Sequence, residues 1–462
     1  MKFCWSLWLA VCSPAFLVAQ EEAAGVDVQR KIAEVVTEKR VDEMVRWLAS
    51  DERGGRDSPS AGLEAAGEYI EKRFAAAGLK QLYDDSWRHH YELPGTRIDS
   101  KAIEMTVWVE AGEEAVEKVL EADKDVRLLR IGGMRKGVRQ KVTVALSNDP
   151  RMQQLLRAGG GRRPTLLEVD VDNPLWVACE GERDILARRM RASGPVFLVR
   201  RGAMPVAGGG GVPSFTATWE VTGVSEVDVP LTNVVGMLQG ETLPDEFVVV
   251  SAHYDHVGTG QPRDGDAIYN GADDNATGTT AVVLLAEALA TLPRPKRSVV
   301  FVCFSAEEKG LRGSAAFCED PPFALEQVVA NVNIEMIGRP PDEGPKTAWV
   351  TGSGYSDFAA ITETAFQRAG IELVDFRMAD ALFRASDNFP FVRQGVVAHS
   401  ISAGSLHDDY HQPSDEVDLL DIPHMTAVIR GLGQVVLEFA DRPERPTYND
   451  KGQKMLESLR RR

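Results

Sequence analysis

In the second half of the chain, histidines and carboxylates stand where short apolar runs give way to polar loops. His253 follows the β-branched run 247–252, and Asp255 lies two residues on. Residues i and i+2 of extended backbone share a face. Asp255 can therefore hold one imidazole nitrogen while the other binds a ligand, the usual setting of a metal-bound histidine. Gly271-Ala272-Asp273-Asp274-Asn275 precedes a segment of helical pattern. A helix cap accounts for one acid there, whereas two adjacent acids among small residues suit a carboxylate that bridges metal ions. Ser305-Ala306-Glu307-Glu308-Lys309-Gly310 follows the run 298–304. Adjacent carboxylates leaving a strand can take different tasks, one holding metal and the other accepting and returning a proton. Glu335 sits among Ile334, Met336 and Ile337, costly company for a carboxylate unless it is paired or metal-bound. The loop 406–415 offers His411, with His407 as the competing candidate and Tyr410 alongside.

Each segment alone has an ordinary explanation as a surface loop, a helix cap or a solvated turn. Together they make an ordered set of five donors: His253, Asp273, Glu308, Glu335 and His411. Imidazole and carboxylate without thiolate suit zinc, with manganese or cobalt as substitutes. Five side chains exceed one open tetrahedral site and suit two ions about 3.5–4 Å apart that share a carboxylate.

These residues need a scaffold that brings distant loops together. Apolar runs at 247–252, 298–304, 328–334 and 395–401 alternate with helical patterns at 277–290, 358–369 and 422–439. That alternation predicts an α/β domain with a mostly parallel central sheet, whose ligands gather beyond the carboxyl ends of the strands. Residues 26–80 read as helical. Between 100 and 231, short apolar runs alternate with glycine-rich breaks, including Gly159–Gly161, and we read an inserted β-rich domain. The expected division is therefore 20–99, the first part of the α/β domain; 100–231, the insert; 232–445, the catalytic part; and 446–462, a polar tail.

Composition narrows the function. Of 462 residues, 44% are hydrophobic and 26% charged, which is ordinary for a globular protein. The formal net charge of −17 opposes nucleic acid and anionic membrane surfaces as partners. Lys2, the apolar run 3–18 and the polar turn at Gln20-Glu21-Glu22 read as a secretory signal peptide over 1–19. The expectation is a secreted or periplasmic protein with no membrane span. Cys179, Cys303 and Cys318 remain after cleavage, too few for a disulfide framework.

The ordered motifs His253-Tyr254-Asp255, Gly271-Ala272-Asp273-Asp274-Asn275, Ala306-Glu307-Glu308, Asn333-Ile334-Glu335-Met336-Ile337-Gly338 and Tyr410-His411-x-Pro413-x-Asp415 resemble those of the co-catalytic di-zinc aminopeptidases. That zinc exopeptidase superfamily also holds glutamate carboxypeptidases, glutaminyl cyclases and the non-catalytic transferrin receptor ectodomain. The resemblance spans about 230–440 and implies a three-layer α/β/α fold. It implies zinc ligation by His253, Asp273, Glu308, Glu335 and His411, with Asp273 bridging and a cis peptide between Asp273 and Asp274. Glu307 would be the general base and acid, Asp255 would orient His253, and Tyr410 would stabilise the oxyanion. Glu335 stands where an aspartate is usual, and Asn388 where many members have histidine. The insert lies where many relatives carry a protease-associated domain. The expected activity is removal of N-terminal residues from peptides. The alternatives are a carboxypeptidase or dipeptidase clamped by Arg339, Arg384 or Arg393, a glutaminyl cyclase, or a receptor-like protein without catalysis.

Overall fold

The computed structural model describes residues 14–132, 136–146, 163–186, 194–208 and 212–460. The longest apolar runs form the centre of a nine-stranded sheet. Leu243–His253 pairs in parallel with Arg297–Phe304 on one side and Val328–Ile334 on the other, and Val328–Ile334 pairs in parallel with Ala398–Ser402. Arg297–Phe304 and Val328–Ile334 are buried at every position, as expected of parallel strands covered on both faces.

The sheet is mixed beyond this centre. Val224–Leu238 runs antiparallel to Arg297–Phe304, and Arg88–Asp99 antiparallel to Val224–Leu238. These two strands are the ends of one long excursion, so the chain returns beside its point of departure, from Arg88↔Val234 to Ile98↔Val224. Glu182–Leu186 adds the last strand on that side.

Helix Gly278–Ala290 is buried on nearly every side, because it is wedged between the sheet and the helices Pro14–Val35 and Ile422–Asp441. Arg312–Glu319 and Asn388–Arg393 form a separate helical group that touches the same sheet. Helix Ala61–Ala76 opens on Ser60, whose hydroxyl accepts the Leu63 N–H, an ordinary N-cap.

The excursion carries two four-stranded sheets. Ile103, Val107, Leu128, Phe197 and Trp219 belong to a hydrophobic core of its own. Its limits differ from 100–231, since Val224–Leu238 and Glu182–Leu186 both belong to the main sheet. The break Gly159–Gly161 lies outside the described residues, as do residues 1–13 of the expected signal segment. The expected polar tail is corrected: Asp450–Arg460 is a helix that buries Gly452, Met455 and Leu456. These apolar residues recur at helical spacing and dock an otherwise charged segment. Cys179, Cys303 and Cys318 are buried free thiols. No described helix is long and apolar enough to cross a membrane.

Candidate metal centre

The parallel register sets the site. Ser251 pairs with Asn333, and His253 with Phe304. The residues that follow these strands therefore emerge at one level, and His253, Glu308 and Glu335 meet there. Thr279, in the first turn of the central helix, donates its hydroxyl to the His253 carbonyl at 2.7 Å and ties the strand end to the helix start. Asn275 performs the same service for the next strand. Its amide donates to Ile334 O at 2.9 Å, and its carbonyl accepts the Gly278 and Met336 N–H groups.

Two groups of donors result. His253, Asp274 and Glu335 form one, and His256, Asp274, Glu308 and His411 form the other. In the first, His253 Nε2 lies 3.1 Å from Glu335 Oε1 and 3.3 Å from Asp274 Oδ1. In the second, His411 Nε2 lies 3.0 Å from Asp274 Oδ2 and 3.1 Å from Glu308 Oε1. Donors about 2.0–2.1 Å from a tetrahedral zinc ion are roughly 3.3 Å apart, so these spacings suit an ion within each group. The two oxygens of Asp274 face different groups. Asp274 Oδ2, Glu308 Oε1, His411 Nε2 and both ring nitrogens of His256 are buried without a hydrogen-bond partner. Such orphaned atoms are costly, and a divalent cation satisfies them.

Of the expected donors, the structure brings together His253, Glu308, Glu335 and His411. Asp273 is not among them. Its Oδ1 accepts the Gly338 N–H at 2.8 Å, and its Oδ2 lies 3.2 Å from His407 Nε2. The structure sets Asp274, and not Asp273, in both donor groups, and the cis peptide is Asp274–Asn275 rather than Asp273–Asp274. Adjacent side chains on this turn point apart, and small-residue context did not say which one faces inward. His407, the competing candidate for His411, belongs to the outer layer with Asp273 and is held by Arg339.

The surrounding shell is dense. Ser386 donates its hydroxyl to Glu335 Oε2 at 2.6 Å and accepts the Asn333 amide at 2.8 Å. Asp415 accepts the main-chain N–H groups of Asp273 and Asp274; burial, then the nearby Asp273 charge, push its carboxyl up to about 6. Asp255 takes the Ser58 hydroxyl and the Glu307 N–H, each at 3.1 Å. His253 Nδ1 faces the Asp255 carbonyl at 3.1 Å and its carboxylate at 3.6 Å, so Asp255 touches both His253 and the Glu307 backbone. Burial, only partly opposed by His253, and the charges of Asp387, Glu308 and Glu335 hold the Glu307 carboxyl well above the ordinary range. Burial also pushes Asp387 up to about 7. At Glu308, burial and Asp274 are outweighed by His256 and His411, leaving its carboxyl at about 2. At His411, burial is outweighed by Asp274 and Glu308, which raise it to about 10. Tyr410 is 39% exposed and stacks on the His411 ring at 4.0 Å.

Arg56 carries a role its sequence context did not advertise. Fully buried, it donates to the carbonyls of Leu48, Tyr254, Asn270 and Gly271 at 2.7–3.0 Å, pinning both acidic loops. Burial lowers its pKa to about 10, against the pull of Asp255, Asp274, Asp415 and Glu308. It stays cationic at neutral pH and balances the carboxylates. Asn388 is turned away into the core, donating to Phe383 O and accepting from Ser400. Arg339 is engaged by Asp409 and His407, while Arg384 and Arg393 lie against Phe389. His256 is the other residue missed, its one sequence signal being the His253-x-x-His256 spacing.

Residues 233–436 match the model of Peptidase family M28. Aminopeptidase YwaD of Bacillus subtilis (strain 168) is 26% identical over 195 residues, 40% of this chain and 40% of that protein. A "Probable zinc metalloprotease" of Pyricularia oryzae is 34% identical over 169 residues, 35% of this chain and 33% of that protein. The chain thus spans less than half the length of these curated relatives. Among solved structures, a zinc aminopeptidase from Bacillus subtilis superposes with a TM-score of 0.56 at 16% identity, covering 88% of this chain and 97% of that one. An aminopeptidase from Aneurinibacillus sp. strain AM-1 gives 0.51 at 15% identity, covering 90% and 97%. At these identities the likeness is one of fold, and it extends well beyond residues 233–436.

Proposed function

With residues 233–436 matching the model of Peptidase family M28, we propose that the chain is a di-zinc aminopeptidase that hydrolyses the first peptide bond of its substrate. The observation that carries this reading is the pair of donor groups sharing Asp274 through its two carboxylate oxygens. His253, Asp274 and Glu335 would hold one ion, and Asp274, Glu308 and His411 the other. When bound, such ions supply Lewis acidity to the scissile carbonyl and make water acidic enough to attack near neutral pH.

The chain's own residues do the rest. Glu307 takes the proton of the attacking water on its carboxylate and returns it to the leaving amine. A carboxylate next to Glu308, tied through its N–H to Asp255 at 3.1 Å, suits that exchange. Asp255 fixes the Glu307 main chain and the His253 ring together, so base and ligand keep one geometry. Tyr410, stacked on His411, is the hydroxyl assigned to the developing oxyanion. The surplus of carboxylates favours the cationic α-amino group of a free N-terminus over a terminal carboxylate. The engagement of Arg339 by Asp409 supports the same choice.

The test uses the full chain on aminoacyl anilides, on the same substrates with a blocked amino group, and on carboxyl-terminal dipeptide substrates. Turnover of the free-amino anilides alone, abolished by a zinc chelator and restored by zinc, is expected. Glu307→Gln should lower kcat by about 10²–10⁴-fold with zinc content unchanged. Cleavage of amino-blocked dipeptides in preference to anilides refutes the aminopeptidase reading, and near wild-type turnover in Glu307→Gln refutes the assigned base.

A further inference from the structure

His256 is the one member of the two donor groups to which the reading above gives no task. Its imidazole is fully buried. Nδ1 lies 3.0 Å from Glu308 Oε1 and 3.7 Å from Asp274 Oδ2. Neither ring nitrogen makes a hydrogen bond. The ring meets that of His411 nearly edge to face, with centroids 5.4 Å apart at 73°. The three imidazole and carboxylate neighbours of Nδ1 are therefore the remaining members of the second group.

The loop is shaped to keep the ring there. The His256 N–H donates to Arg56 O at 3.1 Å, and Arg56 itself grips the adjoining carbonyls. Gly271 adopts φ +56, and a Cβ there would meet His256 Cγ at 2.4 Å and Cδ2 at 2.5 Å. The imidazole occupies the space that a side chain at 271 would fill. A buried imidazole whose nitrogens make no hydrogen bond is costly, and a bound ion would satisfy it.

We propose that His256 is a fourth protein donor to the second ion, so that the two metal positions are chemically unequal. This deepens the proposed function and rests on it. His256, Asp274, Glu308 and His411 close a tetrahedral set, the pattern of tightly held ions, whereas His253, Asp274 and Glu335 leave a coordination place open, the pattern of catalytic ones. The second ion is the one retained, and the first is the one that exchanges.

The experiment titrates metal-free full-length protein with Zn²⁺ calorimetrically and measures metal content after dialysis. Wild type should show two binding classes differing at least 10-fold in Kd. His256→Ala should weaken the tighter class by more than about 100-fold, beyond the roughly 10–100-fold cost of losing an outer-layer contact, while the weaker class stays. His256→Gln, of similar volume, guards against a folding defect, judged by the circular dichroism of the metal-free proteins. A second readout needs no variant. In Co²⁺-substituted wild type, exchangeable hyperfine-shifted imidazole N–H resonances are expected from His253, His256 and His411. Signals from His253 and His411 alone overturn the proposal, as do His256 variants that fold and bind both ions like wild type; both results leave the two-ion reading intact. Uptake of a single Zn²⁺ by wild type overturns that reading and this proposal with it.

Discussion

Asp273 and Asp274 are neighbours of identical chemistry with opposite surroundings, and exchanging each for alanine separates their tasks. Asp274 offers Oδ1 to the His253 group at 3.3 Å and Oδ2 to the His411 group at 3.0 Å. Asp274→Ala thus removes one anionic donor from each position. His253 and Glu335 are left alone in one group, and His256, Glu308 and His411 remain in the other. The Asp273 side chain belongs to neither group; it accepts the Gly338 N–H and faces His407. Its loss is that of an outer-layer contact, worth roughly 10–100-fold in metal affinity. Loss of the shared donor should exceed 100-fold at both positions, or more than about 2.7 kcal/mol each. Zinc titration of metal-free protein, followed by turnover at saturating zinc, reads the difference. Asp273→Ala is expected to regain two ions and most of its activity when zinc is raised, while Asp274→Ala should retain neither ion after dialysis. The reverse ranking, or two tightly held ions in Asp274→Ala, would refute the bridging geometry.

Two further outcomes follow from groups around the site. Ser386→Ala removes the hydroxyl that donates to Glu335 Oε2 at 2.6 Å and accepts from Asn333. Zinc titration should show the His253 position weakened roughly 10–100-fold, and thermal denaturation a loss of about 1–3 kcal/mol; unchanged affinity would show that Glu335 needs no such support. His399 is buried, bonded to Ser356 and to Thr351 O at 2.7 Å, and burial lowers its pKa to about 4. A depressed histidine pKa means that the unfolded chain binds the proton first. The stability contributed by neutral His399 is complete above about 6.5 and is lost as pH falls toward 4, by about 3 kcal/mol. Denaturant titrations should show a slope in that window that His399→Gln reduces by close to one proton, and an identical slope would exclude His399 as its source.

Much of this was legible in the sequence because the central strands are buried on both faces. Residues 298–304 must then be almost wholly apolar, and 328–334 is broken only by Asn331 and Asn333, so charged groups at their ends stand out. His253, Glu307, Glu308 and Glu335 announced themselves in this way. What stayed hidden depends on where a side chain points on irregular backbone. Asp274, with φ −104 and ψ 96, faces inward and Asp273 does not, and no periodicity distinguishes them. Arg56, in an Arg-Gly-Gly-Arg stretch, has the composition of a solvent loop, and only the assembled fold reveals four carbonyls converging on it. The helix Asp450–Arg460 was readable from Gly452, Met455 and Leu456 but was obscured by the charges between them.

The excursion from Asp99 to Val224 has a bearing on how this architecture tolerates change. It leaves and re-enters through adjacent strands, so a tight hairpin would close the gap, and chain length between such points costs little entropy. Yet the excursion gives something back: Glu182–Leu186 lies along Gly95–Asp99 and occupies hydrogen-bonding groups at the rim of the sheet. A shortened version would fold around an intact centre but leave unpaired the Gly95–Asp99 edge that Glu182–Leu186 now occupies.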